Sequence, residues 1–198
     1  MRTDKNVFAG RAIGIGVTGS IAAYKAAEIV SYLHKQGARV TVLMTESAGK
    51  FITPLTLQTL SHNQVITDLF AQPQRSPDGI GNDNYACNPQ HIALADKLDM
   101  LLIAPASGNI IGKIASGIAD DSLTTLVMSM PPAKVVIAPA MNEKMYLNLI
   151  VQKNIAALKK AGYHFIEPEK GDLACGQGVG RLPGLDKIIE SLKSKLGK

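Results

Sequence analysis

The strongest constraint on the fold is a strand–helix–strand run within the first 44 residues. Ala12 to Val17 is a short run of apolar residues and glycine, which reads as a strand. From Ser20 to Gln36 the residues Ala23, Ala26, Ala27, Val30 and Leu33 recur at helical spacing and form one apolar face. Ser20 stands where an N-cap belongs and Gly37 where a helix ends in a left-handed residue. Arg39 to Met44 reads as a second buried strand. The alternation recurs with a helix at Ile92–Leu98, a strand at Met100–Ala104, a helix at Asn109–Gly117 and a strand at Lys134–Ala138. A helix over Asn148–Ala161 stopped by Gly162, a strand at Tyr163–Ile166 and a closing helix at Leu185–Leu196 complete it. Strands that alternate with helices imply an α/β fold whose mainly parallel sheet is covered on both faces. Ligands of such sheets bind beyond the carboxyl ends of the strands, here in the loops after Val17, Met44, Ala104 and Ala138.

Two stretches break the alternation. Gln72–Gln90 is rich in proline, glycine, asparagine and aspartate and reads as a long functional loop or lid. Gly171–Gly184 holds five glycines. The 198 residues suit one domain, with its core at about residues 12–182. An apolar share of 46% excludes a disordered chain, and no apolar run is long enough for a membrane span. The two cysteines, Cys87 and Cys175, make no disulfide framework, and Met1 to Gly10 lacks a secretory pattern, so a cytoplasmic setting is expected. The net charge of +5 gathers partly in Lys187, Lys193, Lys195 and Lys198, a basic tail rather than a nucleic-acid platform.

Gly14-Ile-Gly-Val-Thr-Gly19 matches the dinucleotide fingerprint only formally. Gly14 and Gly16 fall inside the strand, and no acidic residue closes the second strand, which ends Leu43-Met44-Thr45. Thr18-Gly19-Ser20 at a helix start can hold one phosphate, or can simply be a capped turn. Thr45-Glu46-Ser47 and Pro105-Ala-Ser-Gly-Asn109 offer similar hydroxyls and amides, and three such loops at one sheet edge favour a mononucleotide-like cofactor. Asn142 follows a strand, where its amide either holds a carboxylate or caps the next helix. Among the histidines, His34 falls on the first helix, His62 in a turn and His164 in a late strand. His91 alone lies between the long loop and a strand leading to the ligand edge, as an acid–base group or a structural residue. Cys175 is bracketed by glycines with Arg181 nearby, either a reactive thiol or an incidental one. No cluster has metal-ligand spacing, so no metal is expected.

Val17-Thr-Gly-Ser-Ile-Ala-Ala-Tyr-Lys25, His91-Ile92, Ala104-Pro-Ala-Ser-Gly-Asn109, Ala119-Asp-Asp121, Pro139-Ala-Met-Asn-x-x-Met145 and Leu173-Ala-Cys-Gly176 together resemble the flavin-containing cysteine decarboxylases. Order and spacing are most similar to the members that act on phosphopantothenoylcysteine. The resemblance implies a Rossmann-like, flavodoxin-like three-layer fold and FMN as cofactor. It implies that the substrate thiol is oxidised to a thioaldehyde, that carbon dioxide leaves, and that the enethiol is then reduced. On this resemblance His91 is the acid–base residue and Cys175 the proton donor of the reductive half. Asn142, Met145, Ala174 and Gly176 contact substrate, while Gly19, Ser20, Ile21, Thr45, Ser47, Ser107, Asn109 and Ile110 contact FMN. The resemblance also implies a homotrimer, or a dodecamer of trimers, with FMN at the subunit contact, and a separate phosphopantothenate–cysteine ligase as partner. Tyr146 stands where the family often has tryptophan, and Gly108 where alanine is commoner. Two alternatives remain: a decarboxylase of peptides ending in cysteine, and a non-catalytic FMN-binding regulatory protein.

Overall fold

A computed structural model describes residues 6–68, 90–174 and 176–197. Its strands and helices, in chain order, are β1 (Ala12–Val17), α1 (Ala26–Lys35), β2 (Arg39–Met44), α2 (Pro54–Ser61), α3 (Gln90–Lys97), β3 (Met100–Ala106), α4 (Gly108–Ala115) and α5 (Ser122–Ser129). After these come β4 (Val135–Pro139), α6 (Glu143–Tyr146), α7 (Leu149–Lys160), β5 (His164–Phe165), β6 (Glu169–Leu173), β7 (Gly176–Arg181) and α8 (Leu185–Leu196).

Five strands form one parallel sheet in the order β2-β1-β3-β4-β5, the flavodoxin-like order expected of the doubly wound class. Alternate residues of each strand feed two cores. Ile13, Ile15, Val17, Leu102, Ala104, Val136 and Ala138 pack against α1, α2 and α8. Leu101, Ile103, Val135 and Ile137 pack against α4, α5 and α7. Burial on both faces explains why the strands read as continuous apolar runs. Gly14 and Gly16 belong to this packing: a Cβ at Gly14 would lie 2.8 Å from Leu98 Cδ1, and one at Gly16 2.6 Å from Leu123 Cδ1. These glycines let the second helical layer close onto β1.

Most predicted elements are present within a residue or two, and α8 spans the expected residues. The first predicted helix divides: Ile21–Lys25 is a 3-10 turn with Ser20 as N-cap, and α1 follows. Gly37 ends the segment at φ +78° and Gly162 follows α7 at φ +100°, as their placement implied. Besides the four-residue α6, two helices went unread, although both carry capping signals. Proline opens α2 after Thr53, and α5 starts with a capping box in which Asp121 and Thr124 exchange bonds. The glycine-rich stretch that breaks the alternation contributes to an antiparallel hairpin, β6 and β7, separate from the main sheet. Of the predicted lid at Gln72–Gln90, residues 72–89, with Cys87, lie outside the described residues, while Gln90 opens α3. No helix among the described residues is long and apolar enough to cross a membrane.

Candidate active site

The strand order reverses direction between β1 and β3, and their carboxyl-end loops part there to leave a crevice. A cavity of about 550 Å³ occupies it, within the usual size range for small-molecule sites. Gly19, Ser20 and Ile21 come from the loop after β1, Ser107 and Gly108 from the loop after β3, and Ala140 to Asn142 from the segment after β4. Met145 of α6 and Leu173 and Ala174 of the hairpin close the far side.

Hydrogen bonds between the three loops fix this edge. Thr18 is 1% exposed; its hydroxyl donates to Pro105 O at 2.7 Å and accepts from Ser107 N–H at 2.9 Å. It therefore ties β1 to β3, with its hydroxyl engaged as both donor and acceptor inside the protein. Replacing Thr18 with valine would strand two buried polar groups, so chemical denaturation should show a loss of about 2 kcal/mol. Ser20 Oγ donates to Ala140 O and accepts from Ala22 N–H, both at 3.3 Å, joining the third loop. Ser107 caps α4 by accepting from Ile110 N–H at 3.3 Å.

The predicted site residues divide by position. Gly19, Ser20, Ile21, Ser107, Asn142, Met145 and Ala174 line the one cavity. Thr45 and Ser47 stand behind it: Thr45 Oγ1 accepts from Ala48 N–H, and a Cβ on Gly19 would fall 2.5 Å from Ser47 Cβ. Asn109 is exposed beside it, and the Ile110 side chain is buried in the core. Gly176 starts β7 at φ +105°, and Cys175 lies outside the described residues. His91, half-buried near the start of α3, borders a separate small cavity with Leu43, Ile66, Asp68, Leu94, Ser122 and Leu126. Within one chain, then, His91 and Asn142 line different cavities.

Of the two local readings of Asn142, the structure shows the helix cap. Its Oδ1 caps α6 by accepting Lys144 N–H at 2.9 Å. That bond sets the orientation of the amide and leaves the Nδ2 donors for the cavity. Beneath α6, the Tyr146 hydroxyl donates to Glu167 Oε2 at 3.0 Å. Burial, and then Glu167, push the Tyr146 phenol up to about 12, so it remains a neutral donor. The Lys159 ammonium, and then the Tyr146 hydroxyl, hold the Glu167 carboxyl below its usual range. This bond anchors the short helix at the residue where tryptophan was expected.

Sequence reading missed Lys25 and gave Arg181 only a role beside Cys175. Both border the main cavity and also a second one of about 340 Å³ along Glu28, Pro183, Leu185 and Asp186. Neither takes part in an ion pair among the described residues. The helical pattern put Lys25 outside the apolar face but could not show what that side would border.

Known proteins share much of this sequence and this fold. The chain is 45% identical over 184 residues to the probable phosphopantothenoylcysteine decarboxylase of Streptococcus mutans, covering 92% of this chain and 97% of the relative. It is 45% identical over 196 residues to the coenzyme A biosynthesis bifunctional protein CoaBC of Borreliella burgdorferi, covering 98% of this chain. It spans only 46% of that bifunctional relative's length. Among solved structures, a PPC decarboxylase mutant complexed with pantothenoylaminoethenethiol superposes with a TM-score of 0.79 at 26% identity, over 96% of this chain and 100% of that one. The FMN-dependent cysteine decarboxylase SpaF does so with a TM-score of 0.76 at 27% identity, over 96% and 99%. With residues 2–197 matching the family description as well, the chain belongs to the Flavoprotein family.

Proposed function

We propose that this chain is an FMN-dependent decarboxylase that converts phosphopantothenoylcysteine to phosphopantetheine in coenzyme A biosynthesis, in the cytoplasm. The observation that carries this reading is the cavity at the β1/β3 crevice, with Asn142 and Ala174 on one side and the Gly19–Ile21 and Ser107–Gly108 loops on the other. The residues present fit FMN. Gly19, Gly108 and Ala140 leave room for a flat ring system, Met141 and Met145 give it apolar contact, and Ser20 and Ser107 add polar groups. Bound FMN supplies a two-electron acceptor that takes electrons from the substrate's thiol-bearing carbon and later returns them, so the net change is loss of carbon dioxide alone.

The chain's own residues do the rest. Asn142 holds the leaving carboxylate through Nδ2 without neutralising it, and its bond to Lys144 N–H keeps the amide in that orientation. His91 accepts the proton released as the thiol is oxidised. Cys175 donates the proton that completes reduction of the enethiol. Because His91 and Asn142 line different cavities of one chain, the working site is assembled between subunits of a homotrimer, or of a dodecamer of trimers, with FMN at the contact. Lys25 and Arg181 at the junction of the two cavities favour a substrate with an anionic far end, such as a phosphate, over a neutral peptide. A separate phosphopantothenate–cysteine ligase would supply that substrate.

The deciding experiment is anaerobic. The FMN-loaded protein should release carbon dioxide from phosphopantothenoylcysteine and not from a peptide ending in cysteine; the reverse preference, or no release from either, would defeat the reading. Cys175→Ser should release carbon dioxide once and stop with the oxidised enethiol product bound, seen by mass spectrometry. Full turnover by that variant would remove Cys175 from its role.

A further inference from the structure

The hairpin that bears Ala174 is held against the Asn142 segment by very few groups, and one of them is a side chain. β7 has glycine at every second residue, Gly176, Gly178 and Gly180, so its backbone can lie directly on the chain between Met141 and Glu143. At Gly180 the approach is backbone to backbone: Met141 N–H donates to Gly180 O at 3.0 Å. At Gly178 a side chain fills the place of a Cβ. The Glu143 carboxylate lies there, its Cδ 2.6 Å from where that atom would stand, and its Oε1 accepts from Val179 N–H at 2.9 Å. Glu143 is the first residue of α6 and follows Asn142 directly. One residue therefore turns its amide to the cavity while the next holds the opposite wall.

We propose that Glu143 is a positioning residue that clasps β7 through the Val179 N–H and thereby sets the gap between Asn142 and the Ala174 turn, into which the cysteine end of the substrate must fit. Only its acceptor oxygen is needed, since the partner is a backbone N–H. Glutamine should therefore replace it and alanine should not. Gly178→Ala tests the same clasp from the other side, because the new methyl occupies the carboxylate's place and displaces this flexible group from Val179. The substrate part of the proposal rests on the decarboxylase reading; the clasp does not.

The test uses the full-length, FMN-loaded protein. Hydrogen exchange at the Val179 amide should be about tenfold faster or more in Glu143→Ala and in Gly178→Ala, and within about twofold of wild type in Glu143→Gln. The double variant Glu143→Ala/Gly178→Ala should exchange no faster than either single one, because both remove the same bond. KM for phosphopantothenoylcysteine should rise about fivefold or more in Glu143→Ala, with kcat changing less, and return towards wild type in Glu143→Gln. Unchanged Val179 exchange in Glu143→Ala and Gly178→Ala would overturn the clasp. Faster exchange with unaltered KM and kcat would overturn its role in placing the wall. Failure of wild type to release carbon dioxide would defeat the decarboxylase reading, while the exchange measurements would still decide the clasp.

Discussion

Replacing His91 with asparagine should leave a folded, FMN-loaded protein whose carbon dioxide release is about 10²- to 10⁴-fold slower, the usual loss when a positioned acid–base group is removed. Asparagine keeps a polar group at this half-buried site near the start of α3, so little stability should be lost. The position of His91 adds a sharper expectation. Since it borders a different cavity from Asn142 in its own chain, a His91→Asn chain should be complemented by an Asn142→Asp chain. Random association places both intact residues at one contact in four, so mixed oligomers should regain about a quarter of wild-type activity. Activity of the mixture no greater than that of the separate variants would mean that the two residues do not meet between subunits. Normal carbon dioxide release by His91→Asn alone would remove the histidine from the chemistry.

Gly180→Ala should be among the most damaging single-methyl changes in the chain. Its Cβ would stand 2.1 Å from Met141 O, against backbone that cannot swing away as a side chain can. The residue also sits at φ +139°, where a residue with a Cβ is strained by about 1–3 kcal/mol before any collision. Gly176→Ala is the control: at φ +105° it meets the same kind of strain, but its Cβ would enter open space. Chemical denaturation should show Gly180→Ala to be less stable than Gly176→Ala by at least about 1 kcal/mol. Substrate affinity should fall as well, since the hairpin carrying Ala174 would be pushed off Met141. Equal stability of the two variants would mean that β7 does not lie on the Met141 backbone.

Acidification should act on two carboxyls away from the cavity lining, Asp99 at the amino-terminal edge of β1 and β3 and Glu167 after β5. The Ala12 backbone N–H, and then Arg11, hold the Asp99 carboxyl below its usual range, and Lys159 does the same for Glu167. Carboxyls depressed in the folded state lend stability above their unfolded pKa values, and that support is lost as the pH falls below about 4.

Much of this protein was already fixed by local pattern. Runs such as Met100–Ala104 and faces such as Ala23, Ala26, Val30 and Leu33 define strands buried on both sides and helices buried on one, and these allow little but a parallel sheet with its loops at one edge. The motif residues could likewise be named from sequence, because a strand end, a turn and a helix cap are local. The hairpin could not. A strand made of alternate glycines has no apolar periodicity, and the reason for those glycines is the Glu143 carboxylate and the Met141 carbonyl, more than thirty residues earlier in the chain. The roles of Gly14, Gly16 and Thr18 were hidden for the same reason, since Leu98, Leu123 and Pro105 meet them only in the folded chain. Sequence named the candidate site residues; only tertiary packing decided which of them share a cavity, because that depends on approaches between segments distant in the chain, which no local pattern records.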